Sequence, residues 1–169
     1  MSIPLVSVIG EMPRTSFLAP ALRRSGLTVA PVLLEEARRT PGSWLGAGLV
    51  VCTWPAGGQP EIENELFTQA TGALHASWDT LSAEVGPFVA PGLGPCPGCL
   101  AVSSPSPGEG CSAALGAWVA TTITLHALGI LDERRSDLVG ASWLWRRTEP
   151  GLQLIERRSR PGCPVPGCV

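Results

Sequence analysis

The chain has 169 residues, with twelve basic against fourteen acidic side chains and a formal net charge of -2. All twelve basic residues are arginines, and neither lysine nor tyrosine occurs, which excludes Schiff-base chemistry, a lysine on a nucleotide phosphate and a tyrosine general acid. Charged residues are only 15% of the chain and apolar ones 44%, so one compact domain is expected, with no electrostatic footprint for nucleic acid.

Residues 1–10 lack a basic start and a long apolar core, so no signal peptide is expected there. Residues 3–9 (IPLVSVI) read as a short buried strand ended by Gly10. Thr15 and Ser16 can cap a helix over 17–25 that stops at Gly26, and 27–34 reads as a second strand, at an edge or bent because of Pro31. Strand, helix and strand in this order make a βαβ unit and hence a parallel sheet. A turn at 40–43 precedes a third strand at 45–53. A helix over 61–71 leads to a fourth strand near 78–81.

The texture changes at Val85, and residues 85–110 are rich in Gly, Pro and Ser. Ser112 looks like the cap of a long helix over 113–130, broken by Thr121, Thr122, Thr124 and His126; a buried helix is expected rather than a membrane span. Strands at 141–147 and 152–158 flank the turn Glu149-Pro150-Gly151. The domain reading is a single unit over 1–169, with halves at 1–84 and 85–169.

Six cysteines in a chain expected to be cytoplasmic suggest metal ligands or thiols rather than disulfides. Cys96-Pro-Gly-Cys99 and Cys163-Pro-Val-Pro-Gly-Cys168 can each offer two sulfurs from a tight turn, and together they suit a closed structural Zn²⁺ site. Free or unordered tail thiols, and a redox dithiol at Cys96 and Cys99, are the alternatives. Such a site has no open position for catalysis. No Ser-His-Asp order suggests a hydrolase.

The runs GPCPGCL, EGCSAALGAWVATTITLHALGIL and LVGASWLWRRTEPGLQLIERRSRPGCPVPGC resemble the carboxyl-terminal half of the ThiF/MoeB superfamily of adenylating enzymes. The stretch FVAPGLGPCPGCL also resembles the ThiF-like partner proteins of peptide natural-product biosynthesis that work with YcaO-type cyclodehydratases. The amino-terminal half follows in the right order, with VSVIG, a helix, a second strand and LVVCT. The resemblance implies an α/β fold with a degenerate Rossmann-like, mostly parallel sheet stapled by a carboxyl-terminal four-cysteine zinc knuckle.

The chain departs from the superfamily at its nucleotide site. Of the phosphate loop only Gly10 survives; Pro13 removes an amide donor and Glu11 would repel phosphate. Glu35 or Glu36 is the nearest counterpart of the ribose acid, and Arg38 or Arg39 of the triphosphate contacts. Cys52-Thr53-Trp54 replaces the magnesium aspartate. A working ATP site is not expected. Cys111 lies where sulfur-transferring members carry a reactive cysteine, beside a helix start that favours thiolate; the alternative is a small buried apolar residue. Cys52 is expected in the core and His126 in the core or an interface rather than in catalysis, and His75 has no partner visible in sequence. Trp143 and Trp145 share one strand face, as core or as an exposed strip for a partner.

The resemblance thus implies a non-catalytic scaffold in the biosynthesis of a ribosomally made, modified peptide, binding a cyclodehydratase-type enzyme, the precursor peptide or both. The competing expectation is an adenylating or sulfur-carrying enzyme that uses Cys111 and is completed by another subunit. The long helix is apolar around most of its circumference, so a homodimer is expected, with a heteromeric complex as the alternative.

Overall fold

The computed structural model describes residues 5–101, 110–133 and 135–169. Four strands, β1 (Leu5–Gly10), β2 (Thr28–Leu33), β3 (Ala47–Cys52) and β4 (Ala73–Trp78), pair in parallel. Three more, β5 (Ser82–Val89), β6 (Ala141–Arg146) and β7 (Leu152–Glu156), continue the same sheet antiparallel, giving the order β2-β1-β3-β4-β5-β6-β7. The fold is therefore mixed α/β, parallel in its amino-terminal strands.

The helices are α1 (Met12–Arg24), α2 (Leu34–Arg39), α3 (Pro60–Thr68), the short α4 (Pro97–Leu100) and α5 (Ala113–Glu133). Strand alternation builds two cores. Val6, Val8, Leu49 and Val51 pack with Leu18 and Leu22 of α1 and with Val119 and Ile123 of α5. On the opposite face Ile9, Val50 and Cys52 pack with Leu34 of α2 and with Ile62 and Leu66 of α3. Strands covered on both faces read as near-continuous apolar runs, which is why β1 and β3 stand out in the sequence. By length and composition α5 could cross a bilayer, with a mean hydropathy of 1.6; here Leu115, Val119, Ile123, Ala127 and Ile130 form a buried stripe against the sheet.

Several expected boundaries shift for physical reasons. α1 begins at Met12 rather than residue 17, because Pro13 sits in the first turn, where its missing N–H costs nothing. Thr15 and Ser16 are then inside the helix, and no side chain caps it. Pro31 does mark an edge, since β2 is the outermost strand. α2 was not foreseen; its six residues are too few to show a period. α3 ends at Thr68, not 71. The fourth strand is Ala73–Trp78, and residues 79–81 form the hairpin turn instead, because the Asp79 carboxylate accepts from the Leu81 and Ser82 N–H groups at 2.6 and 2.7 Å. β5 runs through residue 85, where composition suggests loop; Gly86 and Pro87 disguise a central strand, and the register with β4 shifts nearby.

The segment between β3 and α3 is pinned by one buried carboxylate. Glu63 accepts from Trp54 Nε1 (2.8 Å), Gln59 N (2.9 Å) and Gly57 N (2.7 Å). His75, on β4, lies behind it, with Nε2 4.0 Å from Glu63 Oε2 and Nδ1 donating to the Trp54 carbonyl at 3.2 Å. All of Trp54, Glu63 and His75 are buried. Replacing Glu63 by Ala strands one buried and two half-buried donors at once. The variant is expected to lose about 3–5 kcal/mol of stability, with a melting temperature lower by about 10 °C, while Glu63→Gln loses less. Thermal unfolding followed by circular dichroism checks both.

Candidate metal centre

The Sγ atoms of Cys96, Cys99, Cys163 and Cys168 all lie within 4.8 Å of one another. A tetrahedron with metal–sulfur bonds near 2.3 Å has edges of about 3.8 Å. Cys96–Cys163 and Cys99–Cys168 are each separated by 3.7 Å. The four thiols can therefore close around one metal ion with little rearrangement.

Each knuckle owes its shape to local chemistry. Cys96 is the residue that opens α4, with Pro97 in the first turn, and Cys99 N donates to the Cys96 carbonyl at 3.0 Å. In the tail, Gly162 and Gly167 immediately precede Cys163 and Cys168 and take φ of +70° and +81°, a conformation that glycine adopts without cost. The tail is ordered by pairing: Gly92 N donates to the Gly167 carbonyl (2.7 Å) and Val169 N to the Gly94 carbonyl (3.2 Å). Arg160 Nη2 adds a bond to the Gly98 carbonyl at 2.7 Å. Upstream, the buried guanidinium of Arg157 bonds Glu84 and Ser142, anchoring the tail to β5 and β6 before it turns back.

The environment stabilises sulfur charge unevenly. Arg160 N donates to Cys99 Sγ at 3.3 Å, and this bond leads the effects that hold the Cys99 thiol down at about 6. Cys96 is pushed up to about 12, chiefly by burial. Cys96 N in turn donates to Cys168 Sγ at 3.3 Å. Amides aimed at sulfur fit thiolates that carry a metal. Ala56, Phe67, Val89 and Leu100 pack around the pairs and exclude solvent from one side.

The other candidates lie apart from the four sulfurs. Cys111 is exposed, not a buried apolar residue, because its loop lies over the β4–β5 turn, where Ser112 N donates to the Asp79 carbonyl (3.1 Å). Ser112 caps α5 as expected, its Oγ accepting from Leu115 N at 3.4 Å. Cys52 is buried in the core, and burial followed by the Glu63 charge raises its thiol well above the ordinary value. His126 is half-buried, its ordinary value lowered by burial against the opposing influence of Asp137, with Ser136 Oγ 3.4 Å away. Glu35 and Glu36 are exposed in the first turn of α2, Arg38 Nη2 bonds Gln59 Oε1 at 2.8 Å and Arg39 Nε bonds the Glu35 carbonyl at 3.3 Å. Sequence reasoning missed the Glu63–His75–Trp54 group; an acidic residue in the opening turns of a proline-started helix was its one local trace.

No protein-family model matches the chain, and neither does any curated protein. Solved structures do. A heterocyclase in complex with substrate and cofactor superposes with a TM-score of 0.74 at 18% identity, covering 97% of this chain and 25% of the heterocyclase. The heterocyclase TruD gives 0.69 at 20% identity over 98% of this chain and 28% of its own. MccB of E. coli with ATP gives 0.62 at 14% identity over 98% and 60%. The chain thus spans only about a quarter of the length of the two heterocyclases. At these identities the likeness establishes a shared fold, the one expected from the ThiF/MoeB resemblance.

Replacing Cys163 or Cys168 with Ser is expected to abolish binding of about one metal ion per chain. Absorption during titration with Co²⁺, which reports thiolate ligands directly, checks this; unchanged stoichiometry in both variants counts against the centre.

Proposed function

We propose that the chain is a non-catalytic cytoplasmic partner in the biosynthesis of a ribosomally made, modified peptide. It docks a cyclodehydratase-type modifying enzyme, the precursor peptide or both, and holds structural Zn²⁺ in its four-cysteine knuckle. The peptide context is supported by the fold shared with heterocyclases and MccB. Zn²⁺ suits an all-thiolate donor set with no open position; when bound it would be held by Cys96, Cys99, Cys163 and Cys168 and would tie the tail to α4.

The observation that carries the non-catalytic reading is the filled crevice between the carboxyl ends of β1 and β3. In a doubly wound sheet the nucleotide takes this switch point. Here Thr53 occupies the space beside Gly10 so closely that a Cβ on Gly10 would meet Thr53 Oγ1 at 1.7 Å. Thr53 N donates to the Ile9 carbonyl at 3.0 Å, the last rung of the β1–β3 ladder, which sets Thr53 directly beside Gly10. Trp54 is folded inward by Glu63, and the exposed Glu11 stands at the start of α1, where phosphate would need positive potential. Arg14, in the first turn of α1, is already engaged: its Nε and Nη2 bond the Trp78 carbonyl at 3.2 and 3.0 Å, its guanidinium lies over the Trp78 ring, and its Nη1 is 3.8 Å from Glu11 Oε2.

The second reading, a sulfur-carrying enzyme using Cys111, draws on the exposure of that thiol one residue before the cap of α5. It needs an adenylated substrate supplied by another subunit. Transfer of the acyl group from such an adenylate to the Cys111 thiol with release of AMP, seen by mass and lost in Cys111→Ser, would select it.

Self-association through α5 belongs to the same proposal. Ala113, Ala117, Thr121 and Leu125 form an exposed stripe at four-residue spacing. The hydroxyls of Thr121, Thr122 and Thr124 are turned back onto the carbonyls four residues earlier, so the stripe presents methyl groups. A shallow groove beside it, of about 330 Å³, is lined by Phe17, Ala21, Ala117 and Thr121, and Leu125 is two-thirds exposed at its end. Two-fold contact would seat each Leu125 in the groove of the other copy.

Two measurements follow. Calorimetry with ATP and Mg²⁺ is expected to show no binding, and a micromolar affinity would overturn the non-catalytic reading. Light scattering at micromolar concentration is expected to give a dimer that Leu125→Glu converts to a monomer.

A further inference from the structure

The two edges of the sheet are built differently. On β2, Pro31 has no N–H to offer, and Arg23 covers the Val29 carbonyl with Nε at 3.3 Å and Nη2 at 2.8 Å. These are devices that discourage a further strand. β7 has no proline, and no side-chain bond to its main chain occurs among the described residues. Arg157 N donates to the Gly140 carbonyl at 2.7 Å, which fixes the alternation of the antiparallel ladder: Gln153 and Ile155 direct their main-chain groups toward β6, and Leu152, Leu154 and Glu156 direct theirs outward.

The same outward residues carry an apolar strip. Trp145 pairs with Leu152 and Trp143 with Leu154, so all four side chains share one face of the sheet. On that face α5 lies over β3, β4 and β5, and the hairpin of β6 and β7 projects past it. Leu152 and Leu154 are 52% and 51% exposed. A groove of about 590 Å³ continues the strip toward the knuckle, lined among others by Leu154, Glu156, Ala141, Pro95 and Val169. At the other end, on the turn that precedes Leu152, the exposed Arg147 has no carboxylate partner among the described residues, whereas Arg146 and Arg158 have Glu149 and Glu156.

We infer that β7 docks an extended peptide segment as an eighth strand, one with apolar residues at alternate positions and a carboxylate toward Arg147. The edge selects the occupant: outward main-chain groups accept a strand, the strip selects every second side chain, and the lone guanidinium sets the charge at one end. A second copy of the chain fits less well. Two-fold pairing either sets Leu152 or Leu154 against Glu156 or draws Pro150, which has no N–H, into the ladder. The inference deepens the proposed function and rests on it for the peptide being that of the biosynthetic partner.

The test is selection of a displayed library of random dodecapeptides on the full, metal-loaded chain. Enriched peptides are expected to alternate apolar residues and to end in an acid, and to slow amide exchange at Leu152, Leu154 and Glu156. Leu154→Pro removes an outward N–H that β6 does not use, and is expected to weaken the selected peptides about tenfold or more. Arg147→Glu is expected to weaken the acid-bearing peptides alone. Failure to enrich any peptide, protection that maps away from β7, or equal binding by a Leu154→Pro variant of native circular dichroism overturns the inference. Co-purification with a cyclodehydratase encoded beside the gene separates the two claims. Capture by wild type and Leu154→Pro alike keeps the function and removes the edge; capture by neither removes the function, and the peptide selection still decides the edge.

Discussion

Glu63 accepts from Trp54, Gly57 and Gln59 and stands against His75, so a carboxylate that would be costly alone in the interior is fully engaged there. Its three donors all belong to the segment that leaves β3. Held this way, the segment is tied to α3, and Trp54 is kept folded inward beside the end of β3. The other side of the same segment supports the cysteines: Ala56 packs with Phe67, Val89 and Leu100 around Cys96 and Cys99, and Gly57 lies so close to Ala101 that a Cβ would come within 2.3 Å of its Cα. The inward turn of Trp54 and the wall of the metal centre are two results of one electrostatic constraint.

The sheet divides its labour along its order. The parallel strands carry the long-buried core, with Thr53 set against Gly10 and Arg14 bonded to the Trp78 carbonyl. The antiparallel strands carry what faces outward. Arg157, buried with Glu84 and Ser142, locks the chain after β7 to β5 and β6, and this anchor lets the tail return to pair with residues 92–94 and deliver Cys163 and Cys168. The knuckle and the open edge of β7 are thereby neighbours, joined by the groove that runs from Leu154 to Val169.

Much of the fold was legible because it is local. β1 and β3 are runs of apolar residues, α5 carries a cap and a four-residue apolar spacing, and the Pro31 edge follows from a missing N–H. The four cysteines were legible for the same reason, since two short spacings with Pro and Gly describe two turns that each present a pair of sulfurs. β5 was not legible, because Gly86 and Pro87 carry the opposite propensity and only pairing on both sides makes that segment a strand. α1 was misplaced because Pro13 reads as a break when it is an opening residue.

What the sequence by itself determined was the set of elements with strong periods and the two thiol-bearing turns. Each depends on neighbours within a few positions of one another. Only the tertiary structure decided that Glu63, Trp54 and His75 meet, that Thr53 fills the space beside Gly10, that Cys111 is exposed, and that one sheet edge is blocked while the other is open. These are relations between residues on different strands, and the order of strands in a sheet is set by packing of whole faces. No local pattern of residue types encodes it.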